Sequence, residues 1–351
     1  MNIGFYNFYT VYNQNRMFCS PESPLGHKLA APAMRVAEIL AHHGHCVSTI
    51  DTEPLTSYDS VVFLDYPTRF NLLFRQLLRL PRIPLYLMLN ENPSIRPDNY
   101  WRRHHRVFRK VFTWHDDLVG GDKYVKFLPP VALECEPREE QQTRSRFCVI
   151  ISSNKFSNHT AELCSARRRT LDWFAQNQPQ YMDLYGAGWD RWFVPPFGFL
   201  FNAVLNRAYQ RCSGLPRCVT YPFWKGTIPN KRLVLRSSKF SICYENAVFP
   251  GYITEKIFDC FFAGCVPVYL GAPNITRYIP ANAFIDRRQF PSEVELFHYL
   301  RDMPQTEYLA YRAAMDDFLR SPEIQRFGSE AFAKLILEHV VGASPTEEMN
   351  I

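Results

Sequence analysis

Apolar residues fall along this chain in short blocks of two kinds. Runs such as Ser60–Leu64 and Leu85–Leu89 are almost free of polar residues, as strands covered on both faces require. Asn2–Tyr6 and Cys46–Ile50 read as further strands. Between them Ala31–His42 places Met34, Ala37, Ile39 and Leu40 on one side of a helix that Gly44 ends. The polar stretch Glu136–Arg146 reads as a linker. Beyond it come a strand at Phe147–Ser152, a helix at Ala161–Gln176, and a strand at Met182–Tyr185 that runs into Gly186-Ala187-Gly188. Then follow a strand at Phe240–Tyr244, a helix at Thr254–Ala263, a strand at Val266–Leu270 and a mostly helical stretch from Glu307 to Val341. Alternation of this kind predicts an α/β protein with two doubly wound halves. We place them at residues 1–140 and 147–305, with a helical tail at 306–351. A ligand cleft is expected between the halves, beyond the carboxyl ends of the strands.

Composition narrows the class. With 46% hydrophobic and 21% charged residues, the chain can build packed cores and is not of the disordered type. The net charge of +6 suits an anionic ligand or an acidic membrane surface. Lys and Arg do not gather into one long stripe, so no nucleic-acid partner is expected. No apolar run approaches a membrane span, and no secretory leader is evident at the start. None of the ten Cys forms a CxxC pair. Cys212 and Cys218 lie close enough in sequence to bridge, but a reducing compartment is expected. The sequons at Asn158 and Asn274 are read as chance occurrences.

The densest chemistry lies between Lys239 and Asp286. A buried strand ends in Tyr244-Glu245-Asn246, and Pro250-Gly251 turns the chain. Thr254 then stands at the N-cap of a helix whose first turn carries Glu255 and Lys256. The partial positive charge of a helix start, with its unpaired N–H groups and a lysine, suits a pyrophosphate. Cys243, Phe258 and Phe261 on the same unit are read as core.

Glu245-Asn246, Tyr252-Ile253-Thr254-Glu255-Lys256 and Ala263-Gly264-Cys265-Val266-Pro267-Val268 resemble the donor-binding signature of glycosyltransferase family ten, the α1,3-fucosyltransferases of bacterial type. The resemblance is strong from about Phe147 to Phe290 and weaker before it. It implies a GT-B-like fold, two Rossmann-like domains facing each other across a cleft, and inverting transfer of L-fucose from GDP-β-L-fucose to a glycan hydroxyl. It also implies roles. Lys256 would pair with the pyrophosphate and Glu255 would accept from the ribose hydroxyls. Asn246 and Tyr252 would hold the nucleotide and the sugar–phosphate junction. An Arg on the first helix of the donor domain would clamp phosphate. That helix holds Arg167, Arg168 and Arg169, among which Arg168 is favoured by its spacing to Trp173-Phe174. The Ser153-Asn154 pair and the glycine turn at Gly186–Gly188 resemble family elements near the nucleotide.

An inverting transferase needs a carboxylate to take the acceptor's proton. Strand Leu85–Leu89 ends in Asn90-Glu91-Asn92-Pro93, where the family has Glu-Ser-Pro, so Glu91 is expected as the base. No Asp-x-Asp triplet occurs, so no metal site and no cofactor are expected, with a divalent ion at most stimulatory. The cluster His42-His43-Gly44-His45 reads as turn chemistry. The aromatic and basic segment Trp192–Tyr209, with Arg191, Arg207 and Arg211, is read as an insertion on the donor domain; its alternative is a surface for a membrane edge or acceptor. The expected partners are GDP-fucose and an oligosaccharide or lipid-linked acceptor, with peripheral membrane contact at the inner face of a cytoplasmic location. Envelope glycan assembly, as in lipopolysaccharide or capsule, fits that setting. The resemblance implies α1,3 transfer to the N-acetylglucosamine of a lactosamine-like acceptor, with α1,4 or α1,2 linkage left open. Two alternatives also stay open: transfer of another GDP-linked deoxysugar, and a non-catalytic nucleotide-sugar-binding protein.

Overall fold

The computed structural model describes residues 1–19, 22–23, 26–27, 31–133, 144–190, 204, 208 and 221–342. In the first half, β1 (Asn2–Asn7), β4 (Cys46–Thr49), β5 (Ser60–Leu64), β6 (Leu85–Leu89), β7 (Lys110–Thr113) and β8 (Tyr124–Lys126) form one sheet. Every pairing is parallel, in the order β4-β1-β5-β6-β7-β8. A separate antiparallel pair, β2 (Glu22–Ser23) and β3 (Gly26–His27), precedes β4. The helices of this half are α1 (Arg16–Cys19), α2 (Ala31–His42) and α3 (Leu72–Leu77).

The unbroken apolar runs explain how the sheet is covered. Successive side chains of a strand face opposite sides. Thus Val62, Tyr86 and Met88 join Val36, Ile39 and Leu40 of α2 on one face. Val61, Phe63, Leu85 and Leu87 join Phe74 and Leu77 of α3 on the other.

In the second half, β9 (Arg146–Ile151), β10 (Met182–Tyr185), β11 (Ser238–Tyr244), β12 (Val266–Leu270) and β13 (Ile285–Asp286) form a second parallel sheet, ordered β10-β9-β11-β12-β13. Its described helices are α4 (Cys164–Asn177), α5 (Lys231–Arg236), α6 (Glu255–Ala263), α7 (Glu293–Asp302), α8 (Gln305–Arg320) and α9 (Ser329–Ile336). Gly264 ends α6 in the left-handed region at φ 66°, which a glycine adopts without strain.

The expected strands and helices are present among the described residues. β7, β8 and β13 were not foreseen, because runs of two to four residues carry too little periodicity to read. The segment Trp192–Tyr209, with Arg191, Arg207 and Arg211, lies outside the described residues apart from isolated positions, as do Cys212, Cys218 and most of the expected linker.

The chain passes between the halves twice. Phe127 packs in the first core, while Val131 already packs in the second and donates its N–H to the Phe327 carbonyl at 2.8 Å. The expected single tail is divided. Tyr308, Met315 and Phe318 of α8 belong to the second core. Phe332, Ala333 and Ile336 of α9, with Leu337 and Val340 beyond, return to the first and cover α2. The reason is apolar area, since the amphipathic face of α2 needs a second helix to close it.

Ile336 is fully buried in this return contact. Ile336→Ala is expected to cost ~2–5 kcal/mol in urea unfolding. A change below ~0.5 kcal/mol, the range of surface substitutions, would show that α9 is no part of the first core.

Candidate active site

The second sheet delivers a carboxylate into its own interior. Glu245 follows β11 directly and is 0% exposed. A buried carboxylate is tolerable only with donors around it, and Glu245 has them. It accepts the Thr254 N–H at 2.8 Å, the Thr254 hydroxyl at 2.8 and 3.0 Å, and the Lys256 ammonium at 2.8 Å. Gly271 makes room, because a Cβ there would lie 2.6 Å from Glu245 Cγ.

Thr254 occupies the N-cap position of α6, but its hydroxyl turns to Glu245 and does not cap the helix. Lys256 also donates to Thr254 Oγ1 at 3.1 Å. Two of its three N–H donors are therefore directed inward. Burial would lower the Lys256 pKa, but Glu245 and Glu255 more than reverse that and hold it above the ordinary value. The side chain keeps 23% exposure, so the ammonium is anchored from within and reaches the surface.

The other expected donor-side residues are placed as follows. Glu255 leans toward Lys231 of α5 at 3.8 Å, and Lys231 also pairs with Asp259. Adjacent helix positions point about 100° apart, which is why Glu255 and Lys256 engage different partners. Asn246 is half-buried, and its carbonyl accepts from the Leu163 N–H at 2.9 Å, just before α4. The three arginines of α4 separate cleanly. Arg167 is buried and donates to the carbonyls of Tyr244 and Glu245 at 3.0 and 3.2 Å. Arg168 donates to Asn154 Oδ1 at 3.3 Å and to the Lys155 carbonyl at 3.1 Å. Arg169 is exposed. Asn154 in turn donates to the Gly188 carbonyl at 3.1 Å, so the Ser-Asn loop and the glycine turn are tied together.

Glu91 stands past the carboxyl end of β6. Its Oε1 accepts the Tyr9 hydroxyl at 2.8 Å. Its backbone is held by Asp65, whose Oδ1 accepts the N–H groups of Asn90 at 2.7 Å and Glu91 at 3.1 Å, and Asn99 Nδ2 at 2.7 Å. Burial pushes the Asp65 carboxyl up to about 6, although the N–H groups of Glu91 and Asn90 oppose it.

Tyr252 links the two halves. It is almost wholly buried, and its ring centroid lies 4.6 Å from that of Trp114. Burial raises its hydroxyl pKa; Lys256 opposes the rise, while Glu245 and Glu91 add to it. Trp114 in turn donates its indole N–H to the Asn90 carbonyl at 3.1 Å, beside Glu91.

Nearby, Asp116 of the first half accepts from Lys126 of the same half, and from Asn274 Nδ2 and the Tyr278 hydroxyl of the second, all at 2.6 Å. Asn274 Oδ1 accepts the Gly251 N–H at 2.9 Å. A Cβ on Gly251 would lie 2.4 Å from the Trp114 carbonyl. The turn leading to Tyr252 is therefore clamped against the first half.

Sequence reasoning gave no role to Glu245, Asp65, Tyr9 or Asp116. Glu245 was visible in the Glu-Asn motif, but its inward turn was not. The partners of Asp116 at Asn274 and Tyr278 are 158 and 162 positions away, beyond any local pattern. Among the described residues, no three His, Cys, Asp or Glu side chains gather as a metal site. A separate concavity of about 490 Å³, bordered by Tyr278, Phe318 and Arg326, shares none of the expected site residues.

The segment containing β11, α6 and β12 also matches known proteins. Residues 209–321 match the glycosyltransferase family 10 (fucosyltransferase) C-terminal domain. Over that segment the chain is similar to glycosyltransferase family 10. The 4-galactosyl-N-acetylglucosaminide 3-alpha-L-fucosyltransferase 9 of Mus musculus is 37% identical over 119 residues, 32% of this chain and 32% of that protein. The alpha-(1,3)-fucosyltransferase FucT of Helicobacter pylori is 32% identical over 74 residues, 21% of this chain and 16% of that protein. The alignment thus spans about a third or less of these curated relatives. Among solved structures, an alpha1,3-fucosyltransferase crystallised with GDP superposes with TM-score 0.53 at 16% identity, covering 96% of this chain and 90% of that one. Anabaena Alr3699/HepE with UDP and glucose gives 0.58 at 12% identity, covering 98% and 100%. At such identities the likeness concerns the fold, which is GT-B: two Rossmann-like α/β domains.

Two measurements bear on this candidate site. Lys256→Met leaves Glu245 charged and short of a partner, and is expected to cost ~3–5 kcal/mol in urea unfolding. Adding Glu245→Gln should recover much of it; additive losses in that cycle would mean the pair is not coupled.

The second concerns Asp65. Its folded-state pKa of about 6 lies above the ordinary 3.8, so the native state holds this proton more tightly. The stabilisation is full below 3.8 and is lost as pH rises through about 6. Relative to Asp65→Asn, the wild type should lose on the order of 3 kcal/mol at most between pH 4 and 7. A flat difference across that range would place the Asp65 carboxyl at its ordinary value.

Proposed function

We propose that this chain transfers L-fucose from GDP-β-L-fucose to a glycan hydroxyl, with inversion at the anomeric carbon. The observation that carries the reading is Lys256, anchored on Glu245 at the start of α6, in a segment that matches the family 10 domain. The same turn packs Tyr252 on Trp114, whose indole N–H donates to the Asn90 carbonyl beside Glu91. The names of the curated relatives support α1,3 transfer onto the N-acetylglucosamine of a 4-galactosyl-N-acetylglucosaminide.

In this mechanism the acceptor lies against the first half. Glu91 Oε1 is occupied by Tyr9, so Oε2 takes the acceptor proton. The acceptor oxygen attacks C1 of fucose, the C1–O bond to phosphate breaks, and GDP leaves with the electron pair. The outward donor of Lys256, Arg168 and the first-turn N–H groups of α6 receive the charge on the leaving diphosphate. Asn246 and Glu255 contribute polar contacts to the nucleoside side. Glu245 acts through Lys256, keeping it charged and correctly aimed. A cytoplasmic site at the inner membrane face, and a role in envelope glycan assembly, belong to the same proposal.

Glu91→Gln keeps the Tyr9 contact but cannot accept the proton. Transfer from GDP-fucose to a β-galactosyl-N-acetylglucosamine acceptor should fall ~10²–10⁴-fold, with GDP affinity near that of the wild type. Unchanged turnover would remove Glu91 from the chemistry. GDP binding by the wild type without transfer to any acceptor, and without donor hydrolysis, would support a binding protein instead.

A further inference from the structure

The outer layer of the first half carries a surface that fucosyl transfer does not use. α3 and the 3-10 turn Arg102–Val107 lie side by side on one face of the sheet. Phe74 stacks on Phe108 at 5.9 Å, and Tyr66 stacks on His104 at 4.1 Å. Their inward residues fill the core, and their outward residues are of two kinds. Arg69, Arg75 and Arg79 are exposed along α3 and its flanks, and Arg102, Arg103 and Arg106 along the turn. Among the described residues, no ion pair engages any of the six. Interleaved with them, Phe70 and Leu72 are 70% and 71% exposed, and Leu78, Trp101 and Val107 are also exposed.

Acidic relief is missing from the same stretch. Between residues 66 and 110 the acidic residues are Glu91 and Asp98. Glu91 bonds Tyr9, and Asp98 is held by Arg96 through two hydrogen bonds. The guanidinium of Arg69 lies 4.8 Å from the Phe70 ring centroid, and that of Arg103 lies 4.7 Å from Trp101. Cations thus rim the apolar groups.

We infer that this face docks on an anionic lipid bilayer. Arginine clusters without counter-charge are attracted to a negatively charged leaflet. Exposed aromatic and aliphatic side chains beside them gain by entering the headgroup–acyl boundary. A nucleic acid or other purely polyanionic chain satisfies the arginines but leaves Leu72, Leu78 and Val107 in water. The surface begins at the loops that follow β5 and β6, the end of the sheet where Glu91 stands. A bilayer there would face the acceptor side of the molecule. The inference deepens the membrane-face location proposed above, and its argument uses only this surface and no residue of the proposed transfer site.

The test is cosedimentation of the full chain with phosphatidylglycerol-containing vesicles and with pure phosphatidylcholine vesicles. The protein should bind the first, weakly or not at all the second, and release as salt rises. Arg75→Glu with Arg103→Glu should weaken binding about tenfold or more, with thermal unfolding and GDP-fucose hydrolysis unchanged. In a separate variant, Phe70→Ser with Leu72→Ser should lower the binding that persists at high salt. Trp101 should be quenched by brominated lipids, and Trp101→Phe should abolish that component. Equal binding to both vesicle types, or undiminished binding by the charge-reversed variant, would overturn the inference. So would retention by a polyanion such as heparin with no vesicle binding.

Discussion

The relation between the two halves of this molecule hangs on one carboxylate. Asp116 projects from the first half and collects a lysine of its own side together with an amide and a phenol from the other. The surroundings hold its pKa down: burial works against ionisation, but Lys126, Tyr278 and Asn274 outweigh it. Apolar contact also joins the halves, since Tyr252 and α9 pack into the first core. Alignment across the groove needs directional bonds, because apolar contact alone tolerates sliding. Asp116 supplies them beside the Pro250–Tyr252 turn, and its own N–H donates to the Pro250 carbonyl at 3.1 Å. The clamp therefore fixes the one turn that leads from the seam into α6.

That turn delivers Tyr252 to Trp114, which bonds the carbonyl next to Glu91, and Lys256 to Glu245, so the seam and the candidate chemistry are continuous. The logic on each side of the groove is the same. A fully buried carboxylate, Asp65 in the first half and Glu245 in the second, sits one layer behind the residue that meets the ligand in the proposed reaction. Asp65 holds the backbone of Glu91, while Glu245 holds the ammonium of Lys256. Buried polar networks are costly unless every member is satisfied, and when satisfied they select one geometry. A diphosphate site without a metal would need that rigidity, since a mobile lysine in water loses much of its field.

The sequence conveys the layers well. Fully apolar strands and a one-sided helix repeat at spacings that allow little besides two parallel sheets, and β5, β6, β11 and β12 lie where the pattern puts them. The candidate residues were legible because they cluster within some thirty positions of one strand–helix–strand unit. The direction of each side chain was less accessible. Three consecutive arginines in α4 look alike in sequence, and helical phase alone sends Arg167 into the core, Arg168 to the Asn154 loop and Arg169 to solvent. The network around Asp116 was beyond reach for another reason: its members are spread over more than 150 positions and share no period.

The sequon Asn274-Ile275-Thr276, read from the sequence as a chance occurrence, has a structural reason to stay unmodified. In the fold the Asn274 amide donates to Asp116 and accepts from Gly251, so both ends are engaged at the seam. A glycan on Nδ2 would have to displace the Asp116 bond, because an N-linked amide keeps only one N–H and carries a bulky sugar beside it. Modification at this position is therefore incompatible with the closed clamp. Any conformation that exposed Asn274 would also free the turn at Gly251, and with it the placement of Tyr252 between the two halves.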